Sequence, residues 1–284
     1  MKQLLCVAVV AVLSSTTTLR AEILRGLTLG NQLISFDSAS PMNTTSISIS
    51  GLTAGDSLVS IDQRPANGLL YGFAINGTTG RLYSIDNGGV ASVQSTLNVA
   101  TSGNFFDIDF NPTVDRLRIV SDLDQNLRVN VDTGVTIVDG QLQFAAGGPN
   151  AGTNPQVVAA AYTNNVGNAT TTSLFGLDLS TNSLVLQSPP NNGTLATVGS
   201  LSGILFPEAS FDISGTSGIA YAVLNGFELS QVDLSTGATT SLGFIGANSS
   251  VIGIAAPSAV PEPGSVGILI LGAAVCAGYR RRRT

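Results

Sequence analysis

Residues 107–132 read DIDFNPTVDRLRIVSDLDQNLRVNVD. Short runs of alternating apolar and polar residues, Asp107 to Phe110, Arg116 to Val120 and Asn126 to Val131, are separated by Asn111-Pro112 and Asp122-Leu123-Asp124, residues that break strands with turns. The same order recurs at Ser60-Ile61-Asp62-Gln63-Arg64-Pro65, Leu69 to Phe73 and Arg81 to Asp86. It recurs again at Ser210-Phe211-Asp212-Ile213, Ile219 to Val223 and Glu228 to Asp233, while a fourth copy with a different front half runs from Val157 to Asp178. A period of roughly 40–50 residues with three or four strands per unit suits the blades of a β-propeller. Val251 to Ala255 reads as an inner strand with nothing after it, and Leu24 to Ser50 as outer strands with nothing before them. Pairing the two ends would close a ring without exposed edges. The expectation is an all-β fold: a five-bladed propeller over residues 22–256, with six blades or an irregular sandwich as alternatives.

The two ends of the chain read differently. Residues 1–21 carry Lys2, an apolar run from Leu4 to Leu13 and small polar residues leading to Ala21, the order of a secretory signal peptide. Residues 257–264 form a Pro-rich linker containing Pro261, Glu262 and Pro263. Residues 265–284 are an apolar stretch of about fifteen residues, expected to be helical and short of the roughly 20 of a comfortable span, followed by Arg280, Arg281, Arg282 and Arg283. The arginines would hold that end in the cytoplasm. This order resembles the PEP-CTERM sorting signal of Gram-negative bacteria that make exopolysaccharide. The resemblance implies the secretion machinery and an exosortase as partners, contact with the membrane only through the C-terminal segment before processing, and delivery to the cell envelope, cell surface or extracellular matrix. A permanent C-terminal anchor is the alternative.

Composition excludes more than it suggests. Between Glu22 and Val260 six arginines face 17 acidic residues, and the last of those arginines is Arg128. Such a surface repels phosphate backbones and argues against nucleic-acid binding. His is absent, and Cys6 and Cys276 lie in the terminal apolar segments, so histidine triads, cysteine nucleophiles and histidine- or thiolate-held metals are not available to the domain. Lys2 is the single lysine and sits in the leader, which excludes Schiff-base chemistry.

What remains is oxygen chemistry. Asp62, Asp109 and Asp212 fall at matching places in the first strand of three repeats, with Asp107 nearby. First strands line a propeller's channel, so these carboxylates are candidates to converge and hold a hard cation such as Ca²⁺, although no cofactor is required by the sequence. Solvent-facing or turn-capping roles are the alternative. Asp122 to Asn126 places oxygen ligands at alternate positions but lacks the Gly and Glu of an EF-hand, and reads as a polar turn. Asp132-Thr133-Gly134 matches the aspartic-protease triplet, yet Asp178-Leu179-Ser180-Thr181-Asn182 and Asp233-Leu234-Ser235-Thr236-Gly237 are expected at the same place in their repeats, which makes it turn chemistry. Asn111 to Arg118 with Arg128 is the basic cluster, suited to carboxylates or uronic acids, or to salt bridges with neighbouring aspartates.

Phe110-Asn111-Pro112, Arg116-Leu117-Arg118, Asn126 to Asn130, Ala161 to Asn165 and Pro189 to Leu195 together resemble the bacterial "domain of unknown function 4394" family over roughly residues 24–255. The resemblance implies an exported propeller-like domain and brings no activity with it. The functional expectation is a non-enzymatic binding or structural protein of the cell surface or matrix, with exopolysaccharide as a candidate partner. A Ca²⁺-dependent propeller hydrolase, lactonase or glycosidase, is the alternative.

Overall fold

The computed structural model describes residues 21–259. The leader, most of the Pro-rich linker with Pro261, Glu262 and Pro263, the C-terminal apolar segment and Arg280 to Arg283 lie outside the described residues. Among the described residues, no helix is long and apolar enough to cross a membrane.

The strands form five sheets arranged as the blades of a propeller. Blade 1 holds β1 (Ile23–Thr28), β2 (Gln32–Asp37) and β3 (Thr44–Ser48). Blade 2 is β4 (Ser57–Gln63), β5 (Leu70–Asn76), β6 (Thr79–Ile85) and β7 (Ala91–Thr96). Blade 3 is β8 (Phe106–Asn111), β9 (Arg116–Ser121), β10 (Asn126–Val129) and β11 (Thr136–Val138). Blade 4 comprises β12 (Gln143–Phe144), β13 (Val157–Tyr162), β14 (Leu174–Asp178), β15 (Ser183–Gln187) and β16 (Thr194–Ser200). Blade 5 is β17 (Ser210–Ile213), β18 (Ala220–Val223), β19 (Glu228–Val232) and β20 (Thr239–Phe244). The last strand, β21 (Val251–Ala255), returns to blade 1 as its innermost strand.

That return closes the ring. β21 pairs antiparallel with β1 in the register Arg25 with Ala255, Gly26 with Ile254 and Leu27 with Gly253. The inner strands β4, β8, β13, β17 and β21 then touch in succession, and β21 comes back against β4. Because each inner strand is covered on both faces, it is apolar for most of its length, and the polar side chains it does carry, such as Asp62 and Asp107, are buried with it. Val157–Tyr162 is buried at every position, as is Phe106 to Phe110. Outer strands are open to solvent: Thr44–Ser48 is mostly exposed, and Thr239–Phe244 has no buried position.

Each pair of neighbouring blades encloses its own apolar cluster. Phe73 and Leu82 of blade 2 meet Phe106 and Phe110 of blade 3. Val120 of blade 3 meets Val157 and Tyr162 of blade 4, and Leu184 of blade 4 meets Phe211 and Ala222 of blade 5. Tyr221 and Leu229 of blade 5 pack on Leu24 and Phe36 of blade 1, whose other side buries Leu27 and Leu33 against Leu58 and Ile61 of blade 2. The seam between blades 5 and 1 is therefore packed like the others.

Two details depart from the sequence reading. Blade 4 has a fifth strand: β12 adds parallel to β16, pairing Gln143 with Thr194 and Phe144 with Leu195. Two residues are too short to carry a periodicity, and the strand covers an outer edge that would otherwise offer unpaired backbone groups. The second departure concerns the aspartate turns, which do not share one place: Asp178 ends β14, the second strand of blade 4, whereas Asp233 follows β19, the third strand of blade 5. In blade 3 the place of Asp233 falls to Asn130 and not to Asp132: the Asn130 carbonyl accepts the Gly134 N–H at 2.8 Å, as the Asp233 carbonyl accepts that of Gly237, also at 2.8 Å. The Asn130 side chain accepts the Asp132 N–H, just as Asp233 accepts that of Ser235. An Asn serves this turn as well as an Asp, and it frees Asp132 for Arg64.

Candidate functional site

The inner strands bring Asp62, Asp109 and Asp212 together on the axis. One carboxylate oxygen from each lies within 4.8 Å of the other two. The register explains why. Asp62 pairs with Tyr71, Asp109 with Arg118 and Asp212 with Tyr221, the same place in β4, β8 and β17. In β13 and β21 that place is taken by Ala161, opposite Phe175, and Ala255, opposite Arg25. Two residues earlier, on the same face of each strand, stand Ser60, Asp107 and Ser210.

All four aspartates are sealed from solvent, Asp107 being 3% exposed and the others 1%. Three of them act as stitches between blades. Asp62 accepts the N–H groups of Gln63 at 2.6 Å and, across to blade 3, Phe110 at 2.7 Å. Asp107 accepts the Ser60 hydroxyl at 2.5 Å and, across to blade 4, the Ala160 N–H at 2.9 Å. Asp212 accepts the N–H groups of Ile213 and Ala256, each at 2.6 Å, the latter just beyond the closing strand. Asp109 differs, since neither of its oxygens has a hydrogen-bond partner. The Tyr162 N–H favours its charged form without reaching bonding geometry. The hydroxyl of Ser210, fully buried, also has no partner.

Burial disfavours the charged carboxylates, and with no neutralising group beside them their mutual repulsion adds to it. Asp107 is pushed up to about 8 and Asp212 to about 7, chiefly by burial. Asp62 and Asp109 are also raised well above the ordinary value, by burial first and then by the facing carboxylates. Such an arrangement has two chemical outlets: protons shared among the carboxylates, or a cation held between them. Neither was legible for Ser60 and Ser210, because serine is common throughout this chain and alternation alone does not single it out. Asn165 was missed for a similar reason; it is fully buried, and both its side-chain polar atoms have no partner.

Asp122 serves a turn. Its carboxylate accepts the N–H groups of Asn104 and Phe105, and Asn126 is turned inward to bind Arg118. The two ends of the suspected ligand run thus face different partners.

The arginines of blades 2 and 3, those of the basic cluster included, separate into paired and unpaired members. Arg64 reaches from blade 2 to Asp115 at 2.6 Å and Asp132 at 2.8 Å. Arg118 is 2% exposed and binds Asp139, Asn126, Asn191 and Tyr162, while Arg128 takes the other oxygen of Asp139. Among the described residues Arg116 donates only to the backbone carbonyls of Val114 and Asp115. It lines a cleft of about 380 Å³ with Asn111, Val114, Arg128, Pro189, Pro190 and Asn191. Two further clefts are lined by Ser202 to Ser241 and by Leu29 to Ile252 residues, and none of the three includes an axial aspartate.

Among solved structures, a structural-genomics protein of unknown function from Bacteroides thetaiotaomicron is similar, with a TM-score of 0.48 at 15% identity, covering 82% of this chain. The chain spans 64% of that protein's length. A protein of Bacteroides uniformis provisionally named a 6-phosphogluconolactonase gives a TM-score of 0.40 at 14% identity, covering 79% of this chain and 68% of its own. A Lactobacillus plantarum protein gives a TM-score of 0.40 at 16% identity, covering 81% and 70%. No curated protein matches the sequence. The chain belongs to the family described as "Domain of unknown function (DUF4394)", whose model matches residues 32–255.

Proposed function

We propose that the protein is exported and acts as a non-enzymatic binding or structural component of the cell envelope or the extracellular polysaccharide matrix. Its leader and its Pro-Glu-Pro, apolar and arginine-rich C-terminal order support export followed by exosortase-type processing. The surface that meets the matrix is the cleft between blades 3 and 4, and its ligands are acidic groups such as uronic-acid carboxylates. The observation that carries this reading is Arg116: in a strongly acidic domain, a guanidinium in a cleft donates to backbone carbonyls and, among the described residues, hydrogen-bonds no carboxylate. Guanidinium forks match carboxylates in two-point contacts.

A Ca²⁺-dependent lactonase or glycosidase reading asks the axial carboxylates to touch a substrate. Their burial and the lining of the clefts by other residues weigh against it.

The test is cosedimentation of the purified protein with the producing organism's own exopolysaccharide, with and without calcium. Saturable binding that falls about tenfold in Arg116→Gln, the loss of one charge-assisted contact, supports the reading. Absence of binding under both conditions overturns it and moves the weight to the hydrolase.

A further inference from the structure

We infer that Asp62, Asp109 and Asp212 form a Ca²⁺ site on the propeller axis that ties blades 2, 3 and 5 together. The inference goes beyond the matrix reading and stands or falls independently of it.

The geometry carries it in three steps. First, carboxylate oxygens from three different strands meet within 4.8 Å, in a region sealed from water. Like charges are not brought into such proximity by packing alone, since burial of unpaired carboxylates is costly. Second, the described residues supply no counter-charge there. Arg64, on the strand end beyond Asp62, is committed to Asp115 and Asp132, and Arg118, paired in register with Asp109, turns away to Asp139. Third, Asp109 leaves both of its buried oxygens without a donor, and Ser210, on the face of β17 that carries Asp212, leaves its hydroxyl so. Asp62 and Asp212 each accept backbone N–H groups on both oxygens, which fixes their orientation and leaves further lone pairs directed inward.

The donor set chooses the ion. Only oxygen ligands are on offer, because the chain has no His and its two cysteines, Cys6 and Cys276, belong to the terminal segments. Hard oxygen donors select Ca²⁺ or Mg²⁺ over zinc, copper or iron. Mg²⁺ dehydrates reluctantly and usually keeps several waters, whereas Ca²⁺ accepts irregular, mostly protein-derived oxygen shells. A site closed off by five inner strands suits the second ion. Its consequence is mechanical: Asp212 also holds the Ala256 N–H beside the closing strand, so an ion fixing Asp212 to Asp62 and Asp109 reinforces the seam where the chain's two ends meet.

The experiment takes the full-length protein stripped by chelation and dialysis, titrates it calorimetrically with CaCl₂ and with MgCl₂, and follows thermal unfolding at neutral pH. The expected result is one Ca²⁺ per chain and a rise in Tm of about 5 °C or more at saturation, with a smaller response to Mg²⁺. Asp109→Asn keeps the side chain's size, removes one charge and abolishes the Ca²⁺-dependent rise, while the stripped variant melts at or above the stripped wild type. No heat and no Tm change on adding Ca²⁺ to the wild type overturns the inference whether or not the variant folds. An undiminished Ca²⁺ response in a folded Asp109→Asn overturns the assignment of the ligands, and an equal response to Mg²⁺ overturns the choice of ion.

Discussion

The axis and the flank of blade 3 treat the same side chain in opposite ways. On the axis, Asp62, Asp107, Asp109 and Asp212 are buried among backbone amides and one another, and all four hold their protons more tightly than usual. On the flank, Asp139 is also nearly buried, and burial alone would raise it, but hydrogen bonds from Arg128 and Arg118 hold it below its ordinary value. Asp132 is likewise lowered, first by its hydrogen bond from Arg64. The difference teaches that the fold places charge by zone. Arginines answer acids in blades 2 and 3, and blade 5 satisfies an acid with hydroxyls instead: Glu22 is gripped by Ser214, Thr216, Ser217 and Tyr221.

The largest effect is expected where the axis meets the chain's ends. Deleting Val251 to Ala256 removes the closing strand and the N–H that Asp212 holds, and uncovers Leu24, Ile34 and Tyr221. Loss of cooperative folding is expected by circular dichroism and gel filtration; a folded monomer would mean that the seam is dispensable. A smaller but large effect is expected on the flank. Asp139→Ala strands Arg118, a buried cation, against neutral partners, and breaking a buried pair this way costs about 3 kcal/mol in urea unfolding. A loss under about 1 kcal/mol would show that Asn126, Asn191 and Tyr162 suffice for the guanidinium, and would erase the contrast between the two zones.

Much of this architecture was readable from the chain. The triplets around Asp62, Asp109 and Asp212 fixed strand and register because inner strands are constrained on both faces, and the incomplete units at the two ends implied their pairing. The fourth copy's different front half proves to be the same strand with Ala161 where the others carry Asp. What stayed hidden depends on loops. Arg118 and Asp139 meet across 21 residues of sequence, and Asn191 joins them from a 73-residue separation, distances that no local pattern encodes. The unpartnered state of Asp109 and Ser210 is a property of the assembled ring, since it depends on what four other strands fail to offer.

The finest probe of the contrast is pH. For the cation-free protein, the axial carboxylates have folded values of about 7 for Asp212 and about 8 for Asp107, above the ordinary 3.8. A raised value means the folded state binds more protons than the unfolded chain between these limits, so the axial contribution is fully present below about pH 4 and is lost as pH climbs through 7 to 8. Asp132 and Asp139, held below 3.8, contribute in the other direction: their stabilisation is complete above that value and is lost as pH falls through their lower folded values. The urea midpoint of the cation-free protein should therefore be highest near pH 4 and decline steadily from there toward pH 8, each unit of raised pKa being worth at most about 1.4 kcal/mol. Saturating Ca²⁺ should flatten the upper limb and leave the acid limb in place, because only the axis exchanges protons for the ion. A midpoint that is level from pH 5 to 8 without cation would mean that the axial carboxylates are not strained by their burial, and the two zones would then differ in partners but not in energy.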